Sequence, residues 1–153
     1  MAPNRPRIVV DRSSVAADVR RLSRISAGRS VAAIAREWCI IAITVAGVLA
    51  LQHPLAWVLG VVVIATRQHA LLILMHEGAH RRLLPHRGAN DAVSDLLLAL
   101  PLNVSTSRYR RLHGKHHRHT NHQGDPDRET IDGDDQWQFP RSRTSALGVV
   151  LRD

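Results

Sequence analysis

One cysteine, one lysine and five aromatic side chains are all that the 153 residues offer of three chemically telling classes. Cys39 alone can form no internal disulfide, which excludes a disulfide scaffold and a cysteine-rich zinc site. The aromatics, Trp38, Trp57, Tyr109, Trp137 and Phe139, form no base-stacking pattern, so the net charge of +8 does not read as a nucleic-acid surface. Of the 21 basic residues only Lys115 is a lysine, and arginines beside an apolar segment suit anionic lipid headgroups better. No small-residue cleavage pattern follows an early apolar core, which argues against a cleaved export signal. No internal repeat is present.

The hydrophobic residues, 44% of the chain, are concentrated between Trp38 and Met75. No charge interrupts "WCIIAITVAGVLAL" from Trp38 to Leu51, and with the preceding "AIARE" the segment approaches the roughly 20 residues that cross a bilayer. "QHP" then supplies a turn, since Pro54 disfavours helix at His53 and suits the first position of a new one. The second run, "LAWVLGVVVIAT", is broken by Arg67, Gln68 and His69 and resumes as "ALLILM" into "HEGAH". Two antiparallel spanning helices follow from this pattern. Eight arginines, Arg5 to Arg36, precede the first run, and Arg81, Arg82 and Arg87 follow the second. Positive flanks mark the cytoplasmic side, so the N-terminus and the histidine-rich region are expected inside, with Gln52 to Pro54 outside. Arg67 is open to two readings. It faces protein or a cavity at membrane depth, or the span ends near Thr66 and the guanidinium snorkels to the headgroups. Before the hairpin the spacing allows one short surface helix, Ser14 to Ile25, in a basic arm. After it, "AVSDLLLALPLNVS" is too short to span and suits an interfacial or re-entrant segment.

Chemistry concentrates in two clusters. "HEGAH" sets His76 and His80 four apart, on one face of a helix. It also matches H-E-x-x-H, the zinc-protease pattern in which Glu77 would be the general base. "HGKHH" supplies His113, His116 and His117. On a helix the first two share a face and the third is turned by about 100°, which offers ligands in two directions. A zinc protease needs three protein ligands and an open position, and five spaced histidines exceed that need. The plainer alternative is a solvated basic tract that binds metal nonspecifically. His53, His69, His86, His119 and His122 have no spacing that recruits them.

The ordered combination "HEGAH", "HGKHH", "RHTN" and "GDPD" resembles the membrane fatty acid desaturase superfamily, over Trp38 to Asp127. The resemblance implies an all-α membrane protein: a transmembrane hairpin, then interfacial and cytoplasmic helices carrying histidine boxes. It implies two iron ions held by His76, His80, His113, His116 and His117, with Thr120, Asn121, Asp125 and Asp127 supporting the ligands from outside. For the aspartates a helix stop and turn is the competing reading. The implied activity is O2-dependent desaturation or hydroxylation of a lipid acyl chain or similar hydrophobic substrate, with electrons from a ferredoxin- or cytochrome-type donor. The segments are then a basic arm (1–36), a hairpin (37–75), a histidine-box region (76–130) and a linker leading into an apolar start (131–153). A third box is missing, since no histidine follows His122, and the chain is expected to be a partial enzyme, inactive alone. The rivals are an intramembrane zinc protease using His76, Glu77 and His80, and a noncatalytic membrane metal-binding protein.

Overall fold

The computed structural model describes residues 12–133 and the isolated positions Ser142, Thr144 and Gly148. Most of the apolar start at 146–153 and the first part of the basic arm lie outside the described residues. Every regular element among those described is helical: α1 (Arg12–Leu22), α2 (Ala27–Leu51), α3 (Pro54–Ala79), α4 (Arg87–Val93), α5 (Thr106–His119) and α6 (Pro126–Ile131).

Helices α2 and α3 form the expected hairpin, joined by two residues. Gln52 takes a left-handed conformation (φ 45°), and its N–H donates to Val48 O at 3.0 Å, closing α2. His53 then caps α3 by accepting the Leu55 N–H on Nδ1, with Pro54 in the first helical position. The helices touch closely where Gly60 faces Val48, because a Cβ on Gly60 would lie only 2.5 Å from Val48 Cγ2. Small residues permit such approach where no hydrophobic force drives helices together. Large apolar side chains point outward along both helices, with Ile43 72% and Val61 65% exposed. A water-soluble core helix would bury them, whereas lipid solvates them.

The buried core gathers instead at the far end of the hairpin, where Ile34, Leu71, Met75, Leu83, Leu98 and Ala99 pack together. Arg67 faces protein in this region. Its Nη1 lies 2.9 Å from Oε2 of Glu37, a fully buried carboxylate on α2, while Arg36 holds Oε1 through Nε at 2.8 Å and Nη2 at 2.6 Å. A paired guanidinium has no need to snorkel, so the first of the two readings of Arg67 describes the structure.

The third apolar patch continues α4 without a break. Ser94–Ala99 is wound as a π-helix and Leu100–Leu102 as a 3-10 turn that accommodates Pro101. The wider winding buries Ser94, Leu98 and Ala99 against the core while Leu96, Leu97 and Leu100 face outward. Asp95 turns back to accept the N–H of Thr106 at 3.1 Å, fixing where α5 starts.

Candidate metal centre

Three contacts bring the histidine-bearing ends of α3 and α5 together. Gly78, the middle residue of "HEGAH", sits directly against Ser94 of the π-helical segment, and Ser94 Oγ is 2.9 Å from Thr106 Oγ1 at the start of α5. The fully buried Asn90 donates to Gly78 O at 2.9 Å and accepts from Leu83 N at 3.1 Å, tying the loop after α3 to its last turn. Arg110 of α5 donates to Ala79 O at 2.7 Å and to Gly78 O at 3.1 Å, in the last turn of α3. The same guanidinium binds both oxygens of Asp91 at 2.6 and 3.3 Å, and its hydrogen bonds hold that carboxyl below the usual carboxylate range.

The result is a cluster of four imidazoles. Nε2 of His113 lies 2.7 Å from Nε2 of His76, 3.0 Å from that of His80 and 2.9 Å from that of His117, and His76 and His80 are 3.0 Å apart. Hydrogen bonding cannot account for this, since a ring nitrogen carries one proton or one lone pair and cannot serve three partners. Nitrogens bound to one ion at about 2.1 Å lie roughly 3.0 to 3.4 Å from one another, so the donor set fits a single metal ion. Imidazoles must be neutral to bind a metal. Burial, then the neighbouring imidazoles, hold His113 down at about 4 and lower His80 as well. Tyr109 stacks on His113, with ring centroids 5.1 Å apart, and shields one side of the cluster. His80 and His117 are exposed, so the cluster is open on the other.

The division within "HGKHH" differs from the one its spacing suggests. His113 and His117, four apart, share the cluster face, and His116 is the one turned aside. Its Nδ1 lies 2.8 Å from Asp125 Oδ1 and 3.2 Å from Asp127 Oδ2. A carboxylate on Nδ1 leaves Nε2 of this ring as the free nitrogen. The hydrogen bond to Asp125 raises the His116 pKa. Burial opposes ionisation of Asp125, but His116 and the N–H groups of Asn121 and Asp127 outweigh it and hold the carboxyl at about 2.

Asp125 also caps α6, as the turn reading of "GDPD" expects. Asn121, in a left-handed conformation (φ 60°), delivers its N–H to Asp125 Oδ2 at 2.8 Å. Thr120 donates its hydroxyl to the His116 carbonyl at 2.9 Å. Glu77 is exposed and outside the four-imidazole cluster. His53 and His86 cap helices through Nδ1. Glu37, Asn90, Asp91 and Arg110 escaped the sequence reading. Only Arg110, three residues before His113, carried a local signal, an arginine one turn from a candidate ligand.

The profile described as fatty acid desaturase matches residues 52–152, about two thirds of the chain. The chain belongs to the fatty acid desaturase family. Membership, together with two helices long and apolar enough to cross a bilayer, identifies a membrane protein and suggests an acyl-chain desaturase or hydroxylase type of function. No curated protein and no solved structure matches it.

Proposed function

We propose that the protein takes part in O2-dependent oxidation of a lipid acyl chain, by desaturation or hydroxylation, at a histidine-ligated iron centre. The convergence of four Nε2 atoms from two helices carries this reading. His76, His80, His113 and His117 would hold one iron. His116, steered by Asp125, would offer Nε2 to a second. Iron bound there would supply the dioxygen chemistry that attacks an unactivated C–H bond.

The chain's own residues hold and insulate the site. Arg110 and Asn90 fix the two box-bearing ends against each other, and Tyr109 covers one flank of the cluster. Asp125 and Asp127 keep the His116 proton on Nδ1, which leaves Nε2 unprotonated once the ring is neutral. The N-terminus and both boxes lie on the cytoplasmic side in this proposal, where the arginines would meet anionic lipid and an acidic ferredoxin- or cytochrome-type donor. Four imidazoles about one point close the position that a zinc protease keeps for water, which weighs against the protease rival.

The test is metal analysis of the full chain in lipid nanodiscs, loaded anaerobically with iron and competed with zinc. Product analysis with a reductant system and acyl lipids follows. Iron retained by wild type and lost in His113→Ala supports the reading, whereas these residues alone are expected to give no oxidised acyl product. One tightly held zinc with peptide cleavage lost in Glu77→Gln overturns it. Reporter fusions at the N-terminus and after the boxes both report the inside if the orientation is right.

A further inference from the structure

Helix α1 has no part in the metal centre, and its surface is divided. Val15, Val19 and Leu22 fall on one stripe, at 45%, 56% and 77% exposure, while Arg20 and Arg21 lie around the opposite side. Arg24 and Arg29 follow within two turns of chain and are also exposed. An aliphatic stripe left in water needs a cover, and its neighbours say which kind. The only acidic side chain on α1, Asp18, is already paired with Arg21 at 3.1 Å, so the face around the stripe is net positive.

Position narrows the choice further. Helix α2 is 25 residues long and α3 is 26, about 37 and 39 Å at 1.5 Å per residue, against a hydrocarbon core of about 30 Å. With the two-residue turn at one surface, both helices emerge into the headgroup layer at the other. Only Ser23 to Ser26 separate α1 from that emerging end. Arg82, in the loop just after "HEGAH", donates to Ser23 O at 2.8 Å and pins the C-terminal end of α1 at the same level.

We infer that α1 lies in the headgroup layer of an anionic membrane, with Val15, Val19 and Leu22 inserted among the acyl chains and its arginines among lipid phosphates. Three aliphatic residues would hold a free helix weakly. The short tether and the Arg82 contact keep α1 at the surface, so its insertion is an intramolecular event at high effective concentration. The inference stands apart from the metal and acyl-chain reading, because nothing in it uses the histidines.

The test places a nitroxide label on α1 of the full chain. Cys39→Ala removes the native thiol, and Val19→Cys and Ala17→Cys report the stripe and the opposite side. Each is reconstituted in nanodiscs of neutral lipid or of mixed neutral and phosphatidylglycerol lipid. In the anionic discs, the label at 19 should be several-fold more accessible to oxygen than to a water-soluble nickel chelate, and the label at 17 the reverse. Arg20→Gln with Arg21→Gln should return the label at 19 toward water. Equal water accessibility at 17 and 19 overturns the inference, as does protection at 19 that is the same in both lipids. Protection that rises with protein density means that a second copy covers the stripe, and overturns it too.

Discussion

Alanine at Gly78 would put a methyl carbon 2.7 Å from Ser94 Cβ and 3.1 Å from Leu83 Cδ1, and closer still to Ser94 Oγ. Relaxed carbon contacts are about 3.5 to 4.0 Å, so Ser94 has to retreat by roughly 1 Å. It cannot do so freely, being fully buried and hydrogen-bonded to Thr106, the first residue of α5. Overpacking of this kind costs about 1–3 kcal/mol, and loosening the Ser94 to Thr106 bond about 1 kcal/mol more. The better helix propensity of alanine returns about 0.5–1 kcal/mol, leaving a net loss of about 2 kcal/mol. Because α5 carries the second box, the same shift separates the two histidine pairs, and metal affinity should fall by about tenfold or more. Thermal unfolding in nanodiscs and cobalt or iron competition against a chelator measure the two effects. Ser94→Gly in the same chain removes Cβ and Oγ and with them the overlap, but also the hydrogen bond to Thr106, so it should relieve the overpacking and restore only part of the affinity, at a helix cost of about 1 kcal/mol. If Gly78→Ala melts at or above the wild-type temperature with unchanged affinity, the close contact does not set the site and the reasoning fails.

Arg110→Gln removes the fork that grips Asp91 and the end of α3, and metal affinity should drop by about tenfold. Lysine at this position should recover little, because a point charge cannot reproduce the bidentate geometry; chelator competition decides. Glu37→Gln leaves Arg67 without its carboxylate partner inside the span, a change that costs about 3–5 kcal/mol for buried pairs. Adding Arg67→Met should recover most of the loss, and unfolding in bicelles should register it; equal damage from single and double variants would show that the pair does not matter. In the metal-free protein His113 resists protonation down to about 4 when folded, whereas the unfolded chain takes the proton near 6.5. Its contribution is therefore present above about 6.5 and lost progressively as pH falls toward 4. Melting temperatures across that window should decline in wild type and less steeply in His113→Ala.

The sequence by itself determined the elements whose causes are local. Uncharged runs of bilayer length, a Gln-His-Pro turn and histidines at helical spacing each act within a few residues, and the hairpin and the candidate ligands were legible from them. So was the membership of Asp125 and Asn121 in the site's surroundings, through their place in an ordered motif. Tertiary structure decided everything that depends on which surfaces meet. Spacing on α5 suggested that His113 and His116 share a face, with His117 turned aside. The meeting of α5 with α3 chose His117, and Asp125 across the next turn drew His116 aside. Arg67 looked unpaired because its partner, Glu37, lies 30 positions back on another helix. Gly78 has its packing role only because Ser94, on another element, comes to rest against it. A helical period fixes the direction of a side chain relative to its own axis; the partner it finds is fixed only when a second axis packs at a definite distance and rotation.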